Sequence, residues 1–282
     1  MKTLRPLRIL IFLVLFVWSV VVFFPLYWMV STAFKQPQDL FPTPTYLPWI
    51  QFQPSLLAFQ SLFTEYRVQV GGAVRNSLVA ATGSAVLATF LGALAGYGLV
   101  RFTYRLGAWT NHDIAFWFAS QRMLPPVAVV FPFLVMYRQL NLVDNVLGLV
   151  VAYTVFNLPL AVWIMRNAFR AVPQEIEESA LIDGNTRFGA FLWIALPLAR
   201  PGLVASLLIC FVFAWNEFLF GAMLTFQSAQ TLPVLIAGQV TQQAIIWANL
   251  SALAIIAVLP VLIVGLVLQP WLAQGLAAGG LR

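Results

Sequence analysis

The 282-residue chain holds few side chains able to do covalent or metal chemistry. It has one histidine, His112, one cysteine, Cys210, and nine acidic residues. These do not assemble into a nucleophile–base pair or a metal-ligand set. No glycine-rich loop ends in Gly-Lys-Ser or Gly-Lys-Thr, the cradle that binds nucleotide phosphates, and the only lysines are Lys2 and Lys35. Two other groups of residues stand out. Arg122, Asn157 and the triplet Trp215-Asn216-Glu217 are polar positions inside apolar runs. Polar groups at such depth are costly in lipid and normally face a cavity or a partner. The second group is the charged stretch 173–201, with Glu175, Glu177, Glu178, Asp183, Arg187 and Arg200. Lipid has no use for that stretch, so its chemistry is that of docking to something outside the bilayer.

The elements that must position these residues are membrane spans. Hydrophobic residues make up 61% of the chain and charged ones 9%, against about 25% charged in a soluble domain. A buried core alone does not explain that deficit. A crossing needs about 20 apolar residues, and runs at 9–34, 76–100, 114–137, 145–165, 202–226 and 249–271 provide them. The prediction is an all-α integral membrane protein with six transmembrane helices. Six crossings put both termini on one side. Lys2, Arg5 and Arg8 precede the first run, and basic flanks stay cytoplasmic. The parity then places Arg101, Arg105, Arg166, Arg170, Arg187, Arg200 and Arg282 inside. Lys35, Arg67, Arg75 and Arg138 fall outside. This asymmetry accounts for the net charge of +6 without nucleic acid as a partner. The first run is too long for a signal peptide and no small-residue cleavage site follows Tyr27-Trp28-Met29, so it reads as a retained anchor. A lone cysteine excludes an internal disulfide.

Between the first two runs, Pro37, Pro42, Pro44, Pro48 and Pro54 prevent continuous helix, which predicts a structured extracytoplasmic cap. The second run carries Gly92 and Gly96, a spacing that lets helix backbones approach closely in lipid. The third is broken by Pro125-Pro126 just after Arg122. Either Arg122 faces a cavity at the break, or it snorkels to the inner interface. The fourth holds Asn157-Leu-Pro159 and the fifth Trp215-Asn216-Glu217. Interruptions in successive spans imply a shared interior pathway. Glu217 also reads as a fixed polar staple between helices.

Within the charged stretch, Pro173 suits the first turn of a helix. Glu175, Glu177 and Glu178 complement its N-terminal dipole. Ile176, Ala180 and Leu181 recur at helical spacing, and Asp183-Gly184 supplies the turn that ends the helix. Asn185 or Thr186 can cap a second helix through Phe188, Phe191 and Ile194, with Pro197 and Pro201 separating it from the fifth span. An acidic polar face argues against lipid, since anionic headgroups attract Lys and Arg.

Glu178-Ser179-Ala180-Leu181-Ile182-Asp183-Gly184, with Phe191, Leu196-Pro197 and Pro201, resembles the EAA loop of ATP-binding-cassette importer permeases. Ser179 replaces the family's first alanine, and Asn185 the alanine usual after the glycine. Arg122-Met-Leu-Pro-Pro126, Phe156-Asn-Leu-Pro159 and Trp215-Asn-Glu-Phe218 look like recurrent segments of the carbohydrate-uptake branch, the MalG type. The resemblance implies a type I importer permease fold with a cytoplasmic coupling helix. Residues 1–72 then form the first span and an outer loop, 73–271 the permease core with its coupling loop at 173–201, and 272–282 a cytoplasmic tail.

The resemblance further implies one half of a translocation pathway in a bacterial inner membrane. Its partners are a second related permease, two copies of an ATPase and an extracytoplasmic solute-binding protein. ATP and magnesium belong to the ATPase, none being bound by this chain, and the cargo is an oligosaccharide, disaccharide or polyol. Glu177, Glu178, Ala180, Leu181, Asp183 and Gly184 become the ATPase-coupling residues. Arg122, Asn157, Trp215, Asn216 and Glu217 become pathway residues. The loop before the last span, with Gln239, Thr241 and Gln242, faces the binding protein. The alternatives are a permease for a non-sugar solute, and an ion-coupled carrier using Glu217 or Arg122. The carrier leaves residues 173–201 unexplained. A membrane enzyme is poorly served by one histidine and one cysteine.

Overall fold

The computed structural model describes residues 4–40, 43–240 and 246–279. Among them all regular structure is helical, apart from isolated bridges at Pro48–Phe52 and Leu106–Trp109. Four helices are long and apolar enough to cross a membrane: α1 (Leu4–Ala33), α3 (Arg67–Arg101), α6 (Val146–Arg170) and α13 (Trp247–Gly279). A short α2 (Leu57–Thr64) precedes α3. Two bent pairs bring the crossings to six if each is one span. The first pair is α4 (Asn111–Ser120) with α5 (Pro126–Gln139), bent by 92°. The second runs from Arg187–Leu198 into α10 (Arg200–Trp215), bent by 76°.

Each break has a local cause. Between α4 and α5, Leu124 and Pro125 are extended, with ψ of 126° and 124°. A residue followed by proline is pushed out of the helical region, and two prolines in succession impose this twice. Before α10, the chain forms α7 (Gln174–Ile182), α8 (Arg187–Ala190), a π turn at Phe191–Ala195 and α9 (Leu196–Leu198). Pro197 and Pro201 lack the donors a regular helix would use.

Two of the boundaries that differ from the sequence prediction bear on the site. α3 begins at Arg67 rather than 76, since its outer end, with Arg67 and Arg75, extends the helix beyond the apolar run. The fifth span stops at Trp215 rather than 226, and α11 (Leu219–Leu224) follows after three residues, with α12 (Leu232–Ala237) beyond it. The Asn216 side chain donates back to the Val212 carbonyl at 2.8 Å. The Glu217 carboxylate accepts from the Phe220 N–H at 3.0 Å and the Gly221 N–H at 3.1 Å. Side chains that bond nearby backbone in this way compete with the helical ladder and start a new helix instead.

The chain forms two compact units, Met1–Val70 with Leu235–Leu259, and Gly71–Val234 with Pro260–Arg282. In the first, Lys35 is buried, donates to the Thr45 carbonyl at 2.5 Å, and lies 4.1 Å from the Trp28 ring centre. Burial pushes its pKa down and Asp39 opposes the shift. One cation thereby gathers Trp28, Thr45 and Phe52.

In the second unit α3 lies directly on α6. A Cβ at Gly92 would fall 2.6 Å from Ala161, and one at Gly96 would fall 2.7 Å from the Arg166 backbone nitrogen. Close packing of small residues replaces the hydrophobic drive that lipid removes. Thr89 and Ser206 hydrogen-bond at 3.1 Å between α3 and α10. At Gly202 of α10 an added Cβ would run into the Ala168 side chain of α6.

Candidate functional site

The charged stretch folds as its local signals require. α7 starts after Pro173 and ends at Asp183, and Gly184 takes φ +88°. The Thr186 hydroxyl accepts from the Gly189 N–H at 3.0 Å and caps α8. Among the polar residues on the surface of this helical pair stand exposed apolar side chains: Ile182 is 86% exposed and Phe188 67%, with Ile176 and Leu181 also exposed.

The acidic residues of α7 divide. Glu178 is exposed and accepts from Gln174 at 2.8 Å, a turn earlier on the same helix. Glu177, grouped with the coupling residues from sequence, is turned inward and buried. Arg101, the last residue of α3, donates to its Oε1 from Nε at 2.9 Å and Nη2 at 2.6 Å. The Tyr97 hydroxyl donates to Oε2 at 2.8 Å. Ala180 is half-buried, while Asp183 and Gly184 are exposed at the turn.

At the α4–α5 break, a half-open cavity of about 460 Å³ is bounded by α6 and the end of α10. Its walls include Trp117, Gln121, Arg122, Phe133, Phe156, Asn157, Phe213, Glu217 and Phe220. Arg122 lies with its guanidinium carbon 4.8 Å from the Phe213 ring centre. Phe133, Phe156 and Phe220 form a triangle of rings, with centroids 4.4–5.7 Å apart. The Asn157 amide donates to the Cys210 carbonyl at 3.2 Å and joins α6 to α10.

Of the five pathway candidates, Arg122, Asn157 and Glu217 meet at this cavity. Trp215 and Asn216 lie outside its lining. The Trp215 ring is buried and stacks on Phe211 at 5.8 Å, and the Asn216 side chain is taken by its own helix. Glu217 lines the cavity and caps α11 at once. The apolar walls with a few convergent polar groups suit an amphipathic solute.

Asp144 is a residue that sequence reasoning missed. It lies between α5 and α6, at φ +54°. Its carboxylate accepts from the backbone N–H groups of Phe226, Gln227, Ser228 and Ala229 at 3.0–3.2 Å. Burial opposes ionisation there, but the Phe226, Ser228 and Ala229 N–H groups and the Ser228 hydroxyl outweigh it and hold the carboxyl well below the usual range. The signal available was a lone acid in a short polar loop. On the loop before α13, Gln239 bonds weakly back to the Leu235 carbonyl at 3.5 Å. Thr241 and Gln242 lie outside the described residues.

The family model for the binding-protein-dependent transport system inner membrane component matches residues 88–278. The chain belongs to that family. This inner membrane component is a multi-pass permease of a transport system that depends on a binding protein. It is 30% identical to the sulfoquinovosyl glycerol transport system permease protein SmoH of Agrobacterium fabrum, over 99% of this chain and 94% of that one. It is 31% identical to the trehalose transport system permease protein SugB of Mycobacterium tuberculosis, over 92% of both. Its fold is similar to a crystal structure of a bacterial ABC transporter involved in alginate import. The TM-score is 0.77 and the identity 18%, with 96% of this chain and 98% of that one covered. The permease fold read from sequence is thereby borne out.

Proposed function

We propose that this permease is one half of the translocation pathway of an ATP-driven carbohydrate importer, and that a separate ATPase docks on α7 and α8. The observation that carries the coupling half is the exposed apolar surface of Ile176, Leu181, Ile182 and Phe188 on a charged cytoplasmic segment. Apolar surface of this kind, away from lipid, marks an interaction site. A second permease completes the pathway, a binding protein delivers cargo outside, and ATP with magnesium stays on the ATPase. The chain itself carries no ATPase site.

The carbohydrate half rests on the cavity and the relatives. Trp117 and the phenylalanine triangle offer ring faces, and Gln121 and Asn157 offer amides, the groups that stack on and hydrogen-bond to sugar rings. SmoH and SugB are both named for sugar-containing cargo.

The test is to purify the tagged chain with whatever co-assembles and to reconstitute the complex in vesicles with ATP on the cytoplasmic face. Uptake of labelled sugar that needs both ATP and the binding protein is expected. Uptake driven by a proton gradient without an ATPase would establish the ion-coupled carrier instead.

A further inference from the structure

Arg101 and Glu177 form the one ion pair between side chains within 4 Å among the described residues, and it is buried, with side-chain exposures of 9% and 5%. Its position is informative. Arg101 closes α3, a 35-residue helix that runs unbroken to the inner side. Glu177 sits in the first turn of α7. The same guanidinium donates from Nη2 to the Val172 carbonyl at 2.8 Å, just beyond the end of α6. One side chain therefore holds the ends of α3, α6 and α7 together.

The second carboxylate oxygen is held by Tyr97, one turn earlier on α3. The Tyr97 ring in turn packs edge-on to Phe169 of α6 at 5.4 Å, and at 4.8 Å to Phe191, in the π turn after α8. The chain entering α7, at Phe169 and Val172, and Phe191 beyond α8 thus touch the Arg101–Tyr97 end of α3. Glu178, the next residue, makes no such contact and stays on the surface. The two adjacent acids do different jobs.

A buried ion pair is weak evidence for stability, because desolvating both charges offsets most of their attraction. Its better-attested role is to fix registry. An acid on a cytoplasmic helix is easily solvated, so its burial against a span end requires a reason beyond stability. We propose that the Arg101–Glu177 pair, with Tyr97, is the tie that makes α3 move with α7, and that these are positioning residues for coupling. The proposal rests on the permease reading given above. With the tie cut, α7 still offers its apolar surface to the ATPase, but its displacement no longer reaches α3. ATP is then hydrolysed with less cargo moved per turnover.

The experiment compares sugar taken up per ATP hydrolysed in vesicles holding the purified complex, with wild type, Glu177→Ala, Glu177→Gln and Tyr97→Phe. The expected result is a several-fold lower ratio for Glu177→Ala, with Glu177→Gln and Tyr97→Phe falling between it and wild type. A role in structure alone lowers uptake and hydrolysis together and leaves the ratio unchanged, which overturns the proposal. Should Glu177→Ala fail to assemble, Tyr97→Phe decides, because it keeps the ion pair and removes one hydrogen bond. A wild-type complex without an ATPase overturns the ATP-driven reading as well. An ATPase-containing complex whose ratio ignores these substitutions overturns the tie alone.

Discussion

The Asp144 carboxylate accepts a hydrogen bond from the Ser228 hydroxyl at 2.8 Å, across 84 positions of the chain. It fastens the α5–α6 loop to the segment that leaves α11, and the Asp144 N–H donates back to the Leu224 carbonyl at 2.8 Å. A carboxylate collecting several N–H groups is held ionised.

This latch predicts a pH signature. A carboxyl held below its ordinary pKa of 3.8 contributes stability that is present above that value. The contribution is lost as pH falls below it and through the folded value. Asp144→Asn should therefore lower thermal stability at neutral pH, by about 1–3 kcal/mol for charge-assisted bonds lost. The deficit should hold from neutral pH down to about pH 4, begin to shrink below that, and vanish only once pH has fallen through the folded value. Melting curves in detergent from neutral pH down to the most acidic condition the fold survives measure it, and a deficit that does not begin to shrink below about pH 4 would refute the latch.

Gly184 occupies φ +88° with open space around its missing Cβ. Any side chain there pays backbone strain of roughly 1–2 kcal/mol, and a large one also stands on the docking surface. Gly184→Trp should insert in the membrane at normal yield, lose association with the ATPase and lose uptake. Membrane yield and co-purified ATPase are the measurements, and normal uptake would count against the turn's coupling role.

Glu217 separates a cap from a charge carrier. Glu217→Gln keeps an acceptor for the Phe220 and Gly221 N–H groups, whereas Glu217→Ala leaves them unpaired, at a cost of about 1–3 kcal/mol. Thermal stability should fall for alanine and largely hold for glutamine. A glutamine variant that is stable but carries no cargo would show that the charge itself is needed.

The approach of α3 to α6 is tight enough to test by overpacking. Gly96→Val places a Cβ 2.7 Å from the Arg166 nitrogen and 3.1 Å from the Met165 Cβ. Forced insertions of this kind cost about 1–3 kcal/mol. The melting temperature should drop measurably, while Gly71→Val, where no atom lies within 4 Å of the added Cβ, should melt like wild type.

The sequence by itself determined what depends on neighbours in the chain. The apolar runs dictated the crossings, because hydrocarbon thickness sets their length. Pro125-Pro126 dictated a break, Pro173 and Gly184 bounded α7, and Thr186 began α8, since caps and turns are built from residues within a few positions. Tertiary structure decided what depends on faces meeting. Helical spacing placed Glu177 and Glu178 side by side, but only the arrival of Arg101, 76 positions earlier, buried one and left the other in water. Trp215 and Asn216 looked like wall residues beside Glu217, yet a helix turns each successive side chain by about 100°, and packing on Phe211 took the first. Asp144 gave almost no local sign, because its partners are backbone N–H groups that no residue type advertises.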